Sequence, residues 1–346
     1  MLGCIQPTGK GRFSQVADKR NERLALLNVI DEKPKFRDRP EILKFITGER
    51  KFATKSNSKT QKNKKLALDS DWSDFLVNPQ INLAQFNIMS IEVASTGRSC
   101  PWAKKENLEC FTSGACLVGS GNGRFDPVMA SRTDRLAVWL NDRALFMELL
   151  DRDLRIHHAT SLALGLVPVV RIDTFSSLWL WNRPQFRQWF KDWIAAGVIF
   201  YDYAKAPLHI IKKAQAEIQG LDLTVSWHEK MHHLDVLDVL KWSRLAVPFD
   251  CPRGKPLPKS WRGIPVVDGD RHDLRFIEKT GIIVGLRSKV TSGGKLNVKN
   301  TTGFIQPAGY VGKSSKEISL KAPNPFNWQL INCWDNPQDP IWHEVQ

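Results

Sequence analysis

A chain of 346 residues, 42% apolar with 13 Trp and 17 Phe, suits a barrel-sized α/β domain plus an appendage and can bury a large core. No apolar run approaches the roughly 20 residues needed to span a bilayer, and MLGCIQPTGKGRF has no apolar core segment of a secretory signal. The expectation is a cytoplasmic protein with no membrane role, whose six cysteines are thiols or metal ligands and not a disulfide scaffold.

The net charge of +14 is uneven. Residues 1–65 hold 17 Lys/Arg against 7 Asp/Glu, a net of +10, which leaves +4 for the rest. A basic arm on a near-neutral body is the footprint of a polyanionic partner, or else of a solvated tail. We expect nucleic acid as partner, DNA or RNA, with Lys51, Lys55, Lys59, Lys62, Lys64 and Lys65 on phosphates.

In chain order, residues 1–17 read as loop. Asp18–Asp31 places Leu24, Leu27 and Ile30 on one helical face, and Pro40–Ile46 is a further short helix. Lys51–Lys65 is polar and basic and reads as a linker, so residues 1–66 form a basic extension and residues 67–346 the α/β domain. Phe86–Ala94 has strand character and leads into a Gly/Ser/Cys-rich loop, residues 96–123. The longest helix spans Ser131–Arg155, with Leu136, Trp139, Leu140, Leu145, Phe146 and Leu149 at threes and fours.

Short β-branched and aromatic runs then alternate with helical segments. The runs are Val167–Ser177, Val198–Ala206, Leu221–Glu229, Ile264–Asp270 and Ile282–Lys289; the helices are Pro184–Ala196, Ala206–Gln219 and His232–Leu245. Pro248–Arg262 reads as a long loop, and Pro323–Gln346 as an irregular Trp-rich tail. This pattern predicts a βα barrel or partial barrel, in which chemistry collects at the carboxyl ends of the strands. The residues expected to do chemistry there are Arg171, Asp173, Lys205, Asp268, Asp270 and Arg287.

Three further patterns carry possible chemistry. Cys100, Cys110 and Cys116 lie in a flexible loop and could hold zinc or an iron–sulfur cluster, although their spacing matches neither a CxxC knuckle nor a CxxxCxxC cluster motif. His228-Glu229-Lys230-Met231-His232 is a literal HExxH. Its first histidine abuts a strand, and no glutamate follows for nearly fifty residues to complete a zinc site. Asp268, Asp270 and Asp273 surround a glycine turn, where they could bind magnesium or could cap the turn and pair with Arg271 or Arg275.

Taken together, IEVASTGRSCPWA with Cys110 and Cys116, then Arg132 and Arg135, VVRIDTFSS, FYDYAKA, VVDGDRHDLRF with GIIVGLRSK, and the late NCW resemble the gene product 88 family of phages and mobile elements. The resemblance covers roughly residues 88–335 and leaves the basic residues 1–65 outside. It implies a partial or complete βα barrel with a cysteine segment on the open side, distantly similar to radical S-adenosylmethionine barrels. The expected function is a phage- or plasmid-encoded nucleic-acid-binding protein, a replication or DNA/RNA-processing factor with a divalent-metal or Fe–S site at the barrel mouth. The alternatives are an iron–sulfur or zinc enzyme that does not act on nucleic acid, and a non-enzymatic interaction protein.

Overall fold

Six strands and six helices follow from simple patterning, and a computed structural model shows how those among its described residues assemble; Asp18–Asp31 lies outside them. It describes residues 36–55, 73–95, 99–100, 126–228, 230–251, 254–288 and 304–308. The strands are β1 (Thr54–Lys55), β2 (Phe86–Ser90), β3 (Val167–Arg171), β4 (Ile199–Ala204), β5 (Leu221–Ser226), β6 (Leu245–Phe249), β7 (Ser260–Trp261), β8 (Ile264–Asp268) and β9 (Ile283–Arg287). They form one sheet in the order β1-β2-β3-β4-β5-β6-β9-β8-β7. Strands β2 to β6, β9 and β8 run parallel, and β1 and β7 are short antiparallel additions at the two edges. The expectation is a βα barrel or partial barrel; among the described residues the fold is mixed α/β and the edges of the sheet do not pair with each other, so it is not closed.

The helices are α1 (Pro40–Ile46), α2 (Asp126–Asn141), α3 (Arg143–Ala163), α4 (Pro184–Ala195), α5 (Leu208–Glu217) and α6 (His233–Leu240). Alternate strand residues divide the core in two. Met89, Val170, Phe200, Leu223, Val225, Leu245 and Ile283 face the helices. Ile88, Val169, Tyr201, Ala246, Val267 and Val284 face the opposite side, which we call the inner face. The inner face is covered by chain segments and not by helices: Leu76 and Leu83 on one, Leu274 and Ile277 on the other. Their backbones pair, with the Val77 N–H donating to Ile277 O at 2.8 Å. Among the described residues no helix is long and apolar enough to cross a membrane.

The expected long helix is two helices. Asp142 leaves helical geometry (φ −150°, ψ 86°), and its side chain accepts from the Leu145 N–H, capping α3. The periodicity of Leu136 to Leu149 runs through this break because both helices present their apolar faces to the same core. Strand β6 was hidden by Pro248, which argues against a central strand. The even-numbered groups of β6 face β5, as the Trp227 N–H bond to Ala246 O (2.8 Å) shows, and β5 pairs with β6 only as far as Ala246. The N–H that Pro248 lacks therefore has no partner strand to serve.

The described part of the basic extension, residues 36–55, packs onto the body. Phe36, Ile42, Phe45 and Phe52 are buried in the helix-side core. Arg135 of α2 is buried and donates to the Phe52 carbonyl, and desolvation lowers its pKa to about 10. Asp153 accepts from the Phe52 and Ala53 N–H groups at 2.7 and 2.9 Å. Trp189 and Trp193 pack against the same core, and both indole N–H groups donate to Asp151 at 3.0 Å. They are structural residues.

Candidate functional site

The segment from Gly269 to Ile282 joins parallel β8 to β9 by crossing the inner face, with one 3-10 turn at Arg275–Ile277. It has to bring its polar groups with it. Arg171, which ends β3, contacts Asp273 on this segment, and Asp273 also lies 3.4 Å from the Tyr203 hydroxyl. The Arg171 guanidinium sits 4.9 Å from the Tyr203 ring centroid. Burial works against the charge of Arg171, but Asp273, Tyr201, Tyr203 and Asp202 together more than offset it. Lower on the same face, Arg244 grips Asp222 with two bonds of 2.8 and 2.9 Å and donates to Glu278 O at 2.8 Å. Arg275 pairs with Glu278 at 2.9 Å, both fully buried. Burial pushes Glu278 up to about 7, and Arg275 opposes it. This network ties the crossing segment to β3, β4, β5 and β6. Its job is structural.

A different pair lies on the helix side. Asp202 sits inside β4 with the alternation of Phe200 and Ala204, and it is 2% exposed. Asp173 follows β3 in a left-handed conformation (φ 48°) that few non-glycine residues adopt, and it is 4% exposed. The Ile172 N–H bond to Tyr201 O (3.0 Å) sets the two chains side by side there. Asp173 accepts from the Ser176 hydroxyl at 3.3 Å and the Leu180 N–H at 3.4 Å, yet burial still raises it to about 6. Burial, and then the neighbouring Asp173 carboxyl, pushes Asp202 well above the usual carboxylate range. One Asp202 oxygen, Oδ1, is buried without a hydrogen bond, and the Trp181 indole faces the carboxyl without closing one of good geometry. Two buried carboxyls, both raised and one of them acting on the other, are an arrangement suited to acid–base work.

The expected site residues therefore separate. Arg171 is bound to Asp273. Asp268 and Asp270 clamp Arg287: Asp268 accepts its two terminal nitrogens at 2.7 and 2.9 Å, and Asp270 accepts its backbone N–H at 2.9 Å. The turn carboxylates thus pair with Arg287 and Arg171. Both Asp268 and Asp270 are engaged by one guanidinium, which offsets half of their charge. Lys205 lies 4.3 Å from the Phe304 ring centroid. Cys100 is buried, its thiol 3.7 Å from the Ser177 hydroxyl at the carboxyl edge of β3. Lys51 is exposed. Lys55 pairs through its backbone in β1. Cys110, Cys116, Lys59, Lys62, Lys64, Lys65 and the Trp-rich tail lie outside the described residues.

The HExxH pattern is not on one helix. His228 follows β5, and His232 caps α6 through its Nδ1. Among the described residues no three of His, Cys, Asp and Glu come together as metal ligands. Sequence reasoning named Asp173 and passed over Asp202. The available signal was a lone carboxylate within the aromatic run Ile199–Ala204.

The family model described as Gene product 88 matches residues 42–308, well over half of the chain. The chain belongs to the gene product 88 family. The match begins in α1, within the basic segment that had seemed to lie outside the resemblance, and it stops before the NCW of residues 332–334. It thus spans the sheet, its helices and the packed part of the extension. Comparison with curated proteins and with solved structures found no match in either.

Proposed function

We propose that this member of the gene product 88 family is a nucleic-acid-binding protein of phages or related mobile elements. It would act in the host cytoplasm and carry a proton-transfer site at the carboxyl ends of β3 and β4. On this reading the open sheet is a partial βα barrel. The observation that carries the chemistry is the pair Asp173 and Asp202, buried at the ends of neighbouring strands, in which burial raises Asp173 to about 6 and pushes Asp202 well above the usual carboxylate range. The uneven charge supports the polyanion. Part of that charge is structural: Arg37 pairs with Asp142 at 2.8 Å and Arg50 with Asp134 at 2.7 Å. Phosphate contacts therefore fall to the lysines from Lys51 to Lys65.

The binding test replaces Lys51, Lys55, Lys59, Lys62, Lys64 and Lys65 with Gln in the full chain and follows labelled single- and double-stranded oligonucleotides across a salt series. Affinity and its salt slope should both fall. Unchanged affinity would end the nucleic-acid reading. The acid–base test is infrared spectroscopy at neutral pH. A protonated-carboxyl band that disappears in Asp202→Asn is expected, and its absence in the wild type would end that part.

A second reading is favoured by the place of Cys100. Its thiol lies at the same edge of the sheet as Asp173, so a zinc or iron–sulfur group on the cysteine segment would adjoin the carboxyl pair. Elemental analysis of anaerobically purified protein tests it, and a preparation free of iron and zinc would remove it.

A further inference from the structure

The β7–β8 hairpin is closed by Arg262 and Gly263, with Trp261 opposite Ile264 and Ser260 opposite Pro265. Both loop residues are left-handed, at φ 53° and 78°. A two-residue loop of this shape favours Asn-Gly, and arginine has no local reason to hold the first position. Its side chain supplies one. The Arg262 guanidinium lies 4.3 Å from the Trp261 ring centroid and 5.0 Å from that of Trp227, the residue following β5. The two indoles meet edge to face at 5.2 Å and are themselves buried, so they prop the arginine and are not platforms for a ligand.

These ring contacts leave the edge of the guanidinium, with its fork of N–H donors, unmatched. Among the described residues no carboxylate pairs with Arg262, and burial alone lowers its pKa. Other cations stand close by. The Trp261 indole donates to Gln306 at 3.1 Å, and two residues before Gln306 the Phe304 ring packs under Lys205. His228, adjoining Trp227, is buried and held neutral, its pKa lowered to about 3 by burial and by the charges of Lys205 and Lys230. Lys205 and Lys230 thus both act on His228, the neighbour of the Trp227 ring on which Arg262 rests.

We propose that Arg262, propped on Trp227 and Trp261, forms with Lys205 and Lys230 a site for the phosphodiester backbone of a nucleic-acid strand. The guanidinium would take a phosphate in two-bond fashion, and the lysines would act as point charges on neighbouring phosphates. The inference rests on the nucleic-acid reading above and adds to it a contact on the folded body, distinct from the lysine arm.

The test uses the full chain and Arg262→Asn, a change that suits the turn and should leave the melting temperature unchanged or higher. A labelled single-stranded oligonucleotide should bind about tenfold more weakly, with the salt slope reduced by about one phosphate contact. The Arg262→Lys variant, which keeps the charge but loses the fork, should lie between. Unchanged oligonucleotide affinity in Arg262→Asn, with the lysine-arm variant still weakened, would overturn this site while leaving the nucleic-acid reading intact. A loss of inorganic pyrophosphate binding without any loss for the oligonucleotide would assign the site to free nucleotides, and would also overturn it.

Discussion

Arg171, the last residue of β3, and Asp273, on the segment between β8 and β9, form an ion pair across the inner face of the sheet. Their side chains are 14% and 20% exposed, so both charges are largely withdrawn from water. Removing one partner should cost far more than removing both. Asp273→Ala should lower stability by about 3–5 kcal/mol, whereas Arg171→Met with Asp273→Leu should recover much of the loss. Urea unfolding measures both, and a single-substitution cost below about 1 kcal/mol would show that the pair does not hold the segment.

Asp173 makes the protein sensitive to mild acid in an unusual direction. Its folded pKa, about 6, lies above the ordinary carboxylate value of 3.8, so the folded state binds the proton more tightly. Its contribution is fully present below about pH 4 and is lost as pH rises to about 6, at most about 3 kcal/mol. Asp173→Asn mimics the protonated form and should remove this slope. Denaturation midpoints at pH 4.5 and pH 7 should therefore differ less in the variant than in the wild type.

The break between α2 and α3 depends on one carboxylate. Asp142 caps α3 through Leu145 and also holds Arg37 of the extension. Asp142→Ala should cost about 1–2 kcal/mol through the lost cap. Asp142→Asn keeps the cap and loses the charge, and because Arg37 is 42% exposed that change should be small. Thermal melts of the two variants separate cap from ion pair.

Gly269, which reads as a turn glycine, is required by crowding. A side-chain carbon there would meet Val284 Cγ1 at 2.5 Å, Leu286 Cδ2 at 2.9 Å and the Gly285 carbonyl at 3.0 Å. Gly269→Ala should destabilise by about 1–3 kcal/mol through overpacking against β9. A variant as stable as wild type would mean that β8 and β9 can part without cost.

The sequence by itself determined most of the elements and their type, though not β6 or the break between α2 and α3. Local periodicity is a property of neighbouring residues, so β4, β5, β8, β9 and helices α1, α4 and α5 could be read within a few residues of their ends, and β3 at its start. It also determined the charge imbalance and the family, since both are written in the residues alone. Tertiary structure decided what the polar residues do. Arg171 and Asp273 are a hundred residues apart, and only the path of the chain across the inner face makes them partners. Arg287 could have faced a ligand, but the turn after β8 delivers Asp268 and Asp270 to it. Asp202 became a candidate only when β3 and β4 buried it beside Asp173. Charge pairing and desolvation depend on three-dimensional distance and exclusion of water, and no spacing along a chain encodes either.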